Sequence, residues 1–136
     1  MIPIEIQDYF SDSDLSAYPF LSIPNCHIDS RGYITNIADG LLGDVALISS
    51  KRGAIRANHY HKTDWHLTYL IKGRFVYEWL NDGEESTNEV EVKPGEMIFT
   101  PAMCRHTMRF TKNSLMLAVA RNSRTQDAYE ADTIRF

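Results

Sequence analysis

Cysteine is nearly absent. Cys26 and Cys104 stand far apart and in no metal-type spacing. A disulfide framework is therefore not expected, and reduced thiols suit the cytosol. Surplus positive charge is missing too, since 14 Lys and Arg stand against 18 Asp and Glu, a formal net charge of −4. Without a basic stripe the chain is not expected to bind nucleic acid. No apolar run is long enough for a membrane span, and the opening Met1-Ile2-Pro3-Ile4-Glu5 lacks the basic start of a signal peptide. A cytoplasmic protein is the expectation. Sustained helical periodicity, internal repeats, low-complexity tracts and linkers are also lacking.

What is present suffices for one packed domain. Hydrophobic residues make up 43% of the 136 positions, too many for a disordered chain. The organisation reads as an N-terminal arm over 1–28, a barrel core over 45–121 and a C-terminal arm over 122–136. In the first arm, Asp12, Ser13 and Asp14 can cap a short turn, and Pro19 and Pro24 stop any long helix. From Val45 to Arg121 the pattern is strand and turn. Phe75, Tyr77 and Trp79 alternate with Val76 and Glu78, Asn81-Asp82-Gly83 turns the chain, and further strands are expected over 33–37, 45–49, 67–71, 89–93, 97–100 and 115–120. Some eight to ten strands at this spacing indicate an all-β sandwich or barrel. The polar end from Asn122 to Phe136 reads as a tail or an edge strand, and an exposed terminal strand can pair with a second copy, so a homodimer is expected.

Four of the five histidines fall between positions 59 and 106. His59 and His61 are two apart, so on a strand both imidazoles leave the same face and can converge on one point. His66 heads the next strand across the Lys62-Thr63-Asp64 bend, and His106 follows the Pro101 turn. Imidazole nitrogen suits Zn, Ni, Fe and Cu. The competing reading is a set of separately satisfied core or surface histidines. Cys104 shares the parity of His106 and reads as a small buried hydrophobe rather than a soft extra ligand.

The frame around the histidines carries a family resemblance. Gly53-x5-His59-x-His61-x4-His66-x6-Gly73 resembles the first cupin motif, and Gly95-x5-Pro101-x4-His106 the second, with Met103 where glycine is usual and Phe110 where asparagine is usual. The resemblance implies an all-β, single-domain jelly-roll barrel (a double-stranded β-helix) of the RmlC-like type. It also implies His59, His61, His66 and His106 as ligands of a divalent first-row metal ion: Zn, Ni, Fe or Mn. A narrower resemblance links Asp29-Ser30-Arg31-Gly32, Arg56-Ala57-Asn58-His59-Tyr60-His61-Lys62 and Tyr129-Glu130-Ala131-Asp132-Thr133-Ile134-Arg135 to the WxcM-like dTDP-sugar 3,4-ketoisomerases. The middle segment is also similar to the C-terminal cupin of capsular polysaccharide reductases. The ketoisomerases carry glutamine at the position of His66 and work through histidine acid/base chemistry. The capsular cupins carry glutamate there and bind metal.

The implied chemistry is proton transfer next to a carbonyl in a sugar or sugar nucleotide, that is, an isomerase or epimerase acting on a saccharide-like small molecule. It needs a base and a positive group on the oxygen. A metal-bound histidine nitrogen cannot also be the base. If all four histidines ligate, Tyr69, Tyr77 and Glu78 are the candidates for that role, and without metal His59 and His61 are the acid and base. Arg56, Lys62 and Arg121 are the cations expected near a phosphate. On a regular strand Arg56 and His59 have opposite parity, which turns Arg56 to the other wall or toward a dimer seam. Phe75, Tyr77 and Trp79 read as core, and Trp65 as packing outside the barrel. Two other functions use the same ligands, a histidine-ligated iron dioxygenase and a non-catalytic small-molecule binder.

Overall fold

The computed structural model describes residues 17–21, 26–38, 40 and 42–136. The proposed cap at Asp12 to Asp14 lies outside them. Among the described residues, twelve strands and one short helix follow in order. They are β1 (Phe20–Leu21), β2 (Cys26–Asp29), β3 (Gly32–Thr35), β4 (Asp44–Ser50), β5 (Ile55–His61), β6 (His66–Lys72), β7 (Phe75–Leu80), β8 (Asn88–Val92), β9 (Met97–Thr100), β10 (Arg105–Phe110), β11 (Ser114–Ala120), α1 (Gln126–Asp132) and β12 (Thr133–Arg135). Two five-stranded sheets run β1-β9-β6-β11-β4 and β12-β5-β10-β7-β8, and β2 and β3 form a separate hairpin.

The pairing is nested. β7 pairs with β8 across the Asn81-Asp82-Gly83 turn, then β6 with β9, β5 with β10, and β4 with β11, all antiparallel. One long hairpin is thus wound into a barrel, its successive pairs alternating between the sheets, which is the jelly-roll plan. Gly73, at φ +100°, makes the tight β6–β7 turn. A Cβ there would run into Ser114 and come within 2.6 Å of the Asn113 carbonyl.

Alternation along the strands sorts the side chains. Leu70, Phe75, Tyr77, Trp79, Val92, Ile98, Met108, Phe110 and Met116 fill the space between the sheets, mostly toward the β7–β8–β9 side. Trp65, Leu67, Met97, Phe99 and Val119 leave the other face of the first sheet, where Leu21, Tyr18, Ile37 and Leu42 cover them. That cover explains why all four residues of β9 are buried. Truncating a buried Phe to Ala in such a core costs about 3–5 kcal/mol.

The C-terminal end is only in part the expected edge strand, which β12 forms at the border of the second sheet. Residues 126–132 are helical, and β12 pairs with β5 of its own chain. The helix has seven residues and buries none of them, so it carries no apolar stripe for a periodicity to detect. Among the described residues no helix is long and apolar enough to cross a membrane.

Candidate functional site

The site begins with an irregularity in β5. His59 lies opposite His106, but the next partner of β10, Thr107, lies opposite Ala57. Asn58 is the extra residue of a β-bulge, and both bulge residues are left-handed, Ala57 at φ 67° and Asn58 at φ 58°. The bulge shifts the alternation by one. Arg56, opposite Met108, therefore faces the same cavity as His59, not the other wall that a regular strand would give it. Its Nε donates to Ser50 Oγ at 2.7 Å and its Nη2 to the Ser49 carbonyl at 2.8 Å, which fixes the guanidinium at the cavity mouth.

The four imidazoles gather inside the barrel. Ring centroids are 4.5 Å apart for His59 and His61, 4.8 Å for His59 and His106, and 4.6 Å for His61 and His66. Their ligand atoms divide into two overlapping groups. His59, His61 and His106 form one, within 4.8 Å of one another, and His61, Asp64 and His66 form the other.

Hydrogen bonds determine which nitrogens are free. His106 Nδ1–H donates to the Cys104 carbonyl at 2.9 Å, so its Nε2 carries the lone pair. His61 Nδ1 lies 3.2 Å from the Thr133 hydroxyl, and its Nε2 is buried with no partner. His66 Nε2–H donates to Asp64 Oδ2 at 2.9 Å. Asp64 is itself fixed. Its Oδ1 accepts the Asn122 N–H, and its own N–H donates to Asp132, which also takes the Thr63 N–H and hydroxyl.

Burial sets the charge state. It pushes His59 down to about 3, helped by the neighbouring His61 and His66 charges, and His61 down to about 4, helped by His66. Burial also takes His106 well below the ordinary imidazole value. All three are neutral at pH 7, the form in which imidazole binds metal. For Asp64, burial pulls the carboxyl upward, but the hydrogen bond and charge of His66 with the Asn122 N–H outweigh it and leave it below the usual carboxylate value.

A cavity of about 130 Å³ opens onto this cluster. His59, His66 and His106 line its polar side together with Arg56, Arg124 and Tyr129, while Ile48, Met108, Met116 and Ala118 form the apolar wall. Arg124 donates from Nε to Asp44 at 3.0 Å and lies 5.3 Å from the Tyr129 ring centre. That ring is 5.4 Å from His61.

Several expected residues lie elsewhere, and strand parity is the reason. Thr68 and Leu70 face inward with His66, so Tyr69 faces outward and packs on the Trp65–Phe99 cluster. Glu78 alternates with the inward Tyr77 and Trp79, and its carboxylate accepts from Arg109 at 2.8 Å on the outer surface. Tyr77 is inward but fully buried, 6.3 Å from His106, with its hydroxyl against Thr100 Oγ1 at 2.8 Å. Burial raises its phenol well above 10, which keeps it protonated at neutral pH and so unavailable to take up a proton. Lys62 and Arg121 follow inward residues, point outward and are exposed, and neither lines the cavity. Cys104 is 1% exposed among the core aromatics, its thiol pushed up to about 11 by burial. Asp64, Arg124, Tyr129 and Thr133 escaped the reading of the sequence as site residues. Tyr129 and Thr133 belong to the closing segment whose resemblance was noted, whereas Arg124 has no local signal.

The cupin domain family matches residues 46–120, more than half of the chain. Among solved structures the chain is similar to QdtA, a sugar 3,4-ketoisomerase from Thermoanaerobacterium thermosaccharolyticum in complex with TDP. The TM-score is 0.67 at 20% identity, over 88% of this chain and 89% of that one. It is similar to the capsular polysaccharide assembling protein CapF from Staphylococcus aureus, with TM-score 0.62 at 20% identity over 88% of this chain, but it spans only 34% of CapF. The rmlC epimerase of Mycobacterium tuberculosis is a third, with TM-score 0.66 at 14% identity over 84% of this chain and 66% of that one. No curated protein matches the sequence. The nested pairing of the strands and the domain match over residues 46–120 agree, and the protein belongs to the cupin family.

Proposed function

We propose that this cupin is a metal-binding isomerase or epimerase of a sugar or sugar nucleotide, working by proton transfer next to a carbonyl. In this reading His59, His61 and His106 hold a divalent first-row ion (Zn, Ni, Fe or Mn), and His66 moves the proton. The observation that carries it is the buried, unpartnered Nε2 of His61, in a trio whose ligand atoms lie within 4.8 Å of one another. A buried nitrogen left without a partner costs about 1–3 kcal/mol, which a bound cation removes. The donor set, three neutral imidazoles, suits these metals.

The second trio supports a separate role for His66. A ligand nitrogen has no lone pair left for a proton, so three ligands and one base resolve the conflict that four ligands create. Asp64 holds the Nε2–H of His66, leaving Nδ1 as the base nitrogen, and its carboxylate stabilises the imidazolium formed on proton uptake. The proton leaves the carbon beside the carbonyl for Nδ1, and the C–H electron pair moves into an enediolate. Return of the proton to the former carbonyl carbon, as the hydroxyl proton of the first carbon passes to the former carbonyl oxygen, isomerises the sugar, whereas epimerisation needs a proton delivered to the first carbon from solvent on the opposite face. A bound divalent ion supplies Lewis-acid stabilisation of the carbonyl oxygen. Arg56 and Arg124 supply positive charge for an anionic substituent at the mouth. The Tyr129 phenol, raised chiefly by burial, stays protonated at neutral pH and can donate to a substrate oxygen. Met108, Met116 and Ala118 keep one wall dry.

One of the similar structures holds QdtA with TDP-4-keto-6-deoxyglucose, which makes that compound the probe of choice. Metal-loaded protein in deuterium oxide should place deuterium beside its carbonyl, and His66→Ala should slow this by about 10²–10⁴-fold, the usual contribution of a positioned acid or base. Deuterium incorporation unchanged in His66→Ala would refute the assignment of the base. Oxygen consumption by iron-loaded protein, with no deuterium incorporated, would replace the isomerase by a dioxygenase. Binding of the probe without turnover would leave the small-molecule binder.

A further inference from the structure

We propose that Thr133 is a positioning residue for His61, fixing the tautomer that presents Nε2 as a bare lone pair. The inference rests on the reading of His61 as a metal ligand and extends it to a residue that touches neither metal nor substrate.

Thr133 opens β12 and pairs with His61 of β5 in register, and its side chain is 6% exposed. Its hydroxyl has one hydrogen and two lone pairs. The hydroxyl oxygen lies 2.6 Å from the Tyr129 carbonyl, which can only accept, so the hydrogen goes there. The same oxygen lies 3.2 Å from His61 Nδ1 and has only lone pairs left to offer. Contact between them is favourable only when Nδ1 carries the hydrogen. The opposite tautomer would set two lone pairs against each other in a buried site. With the hydrogen on Nδ1, Nε2 is a pure acceptor, and Nε2 is the buried nitrogen that finds no partner within the protein. Cys104 and His106 show the same arrangement with a backbone carbonyl as the acceptor. At His61 the acceptor comes instead from a strand 72 residues away in sequence, so the C-terminal segment, rather than the barrel strands, decides how this ligand is presented. Outer groups that orient metal-bound histidines are typically worth about 10–100-fold in metal affinity.

The test uses the full-length protein with ¹⁵N-labelled histidine. In the metal-free protein, long-range ¹H–¹⁵N correlation spectra should show His61 protonated at Nδ1 and bare at Nε2. Thr133→Val keeps the shape of the side chain but removes the hydroxyl. It should mix the two tautomers and weaken zinc binding by about 10–100-fold in competition with a chelator. Thr133→Ser should restore both readouts. A purely structural role for Thr133 would lower the melting temperature of Thr133→Val and leave tautomer and affinity unchanged, and that result overturns the proposal. So does a hydrogen on Nε2 in the unmodified protein. The tautomer is read without metal or substrate, so failure of the isomerase reading leaves this test standing.

Discussion

Replacing Ala57 by glycine should make the protein more stable, against the usual effect of glycine in a strand. Ala57 lies in β5 with φ 67°, a left-handed conformation that costs an L-residue about 1–2 kcal/mol. Glycine removes that cost but brings an unfolded chain with more freedom, worth about 0.4–1 kcal/mol in the other direction. The Ala57 methyl is half-buried at the edge of the cavity, so little packing is lost with it. The net gain is about 0.5–1 kcal/mol, or a melting temperature higher by about 2–5 °C for a domain of this size. Thermal unfolding followed by circular dichroism, with a urea titration of unchanged slope, measures it. A regular strand predicts the opposite sign, a loss of about 0.5–1 kcal/mol. That loss would refute the bulge and, with it, the inward direction of Arg56.

Other outcomes follow from the same geometry. Elemental analysis should find about one equivalent of divalent metal per chain, and His59→Ala or His106→Ala should lose it. Without metal, stability should fall as the pH drops from about 6.5. His59 and His61 stay neutral in the folded protein down to about 3 and 4, while the unfolded chain binds their protons near the ordinary value. The unfolded state then holds more protons throughout this window, so stability rises with pH across it, as urea titrations at stepped pH would show. Light scattering should give the mass of a homodimer, because Val45 and Leu47 on the edge strand β4 are 58% and 66% exposed, and the mass of a single chain would end that expectation.

The convergence of His59 and His61 was legible because two residues of one parity on a strand must share a face. The same rule separates Tyr77 from Glu78 and sets Tyr69 apart from His66, so two of the three bases considered could have been excluded from the sequence. The bulge was hidden because the residue that marks it is alanine rather than glycine. Met103, at the position where the second motif usually has glycine, makes a left-handed turn that the motif did reveal, with φ 64° and its N–H on the His61 carbonyl at 2.7 Å. Asp64 looked like a bend residue, and its role appears only when Asn122 and Asp132 arrive from the far end of the chain. Arg124 reaches the mouth through Asp44, 80 positions away, a contact that no local pattern encodes.

The winding of the hairpin also orders its contacts by how much chain each must gather. Trp79 and Asn88, next to the β7–β8 turn, meet across nine residues, whereas His61 meets Thr133 across 72 and Asp44 meets Arg124 across 80. Loop-closure entropy grows with that separation. The aromatic side of the barrel is therefore the inexpensive part to bring together, and the imidazole side is completed by the most distant partners. Exchanges among the histidines alter the reactive side while leaving the short-range hairpin intact, so new ligand sets can be tried there on a scaffold that still assembles.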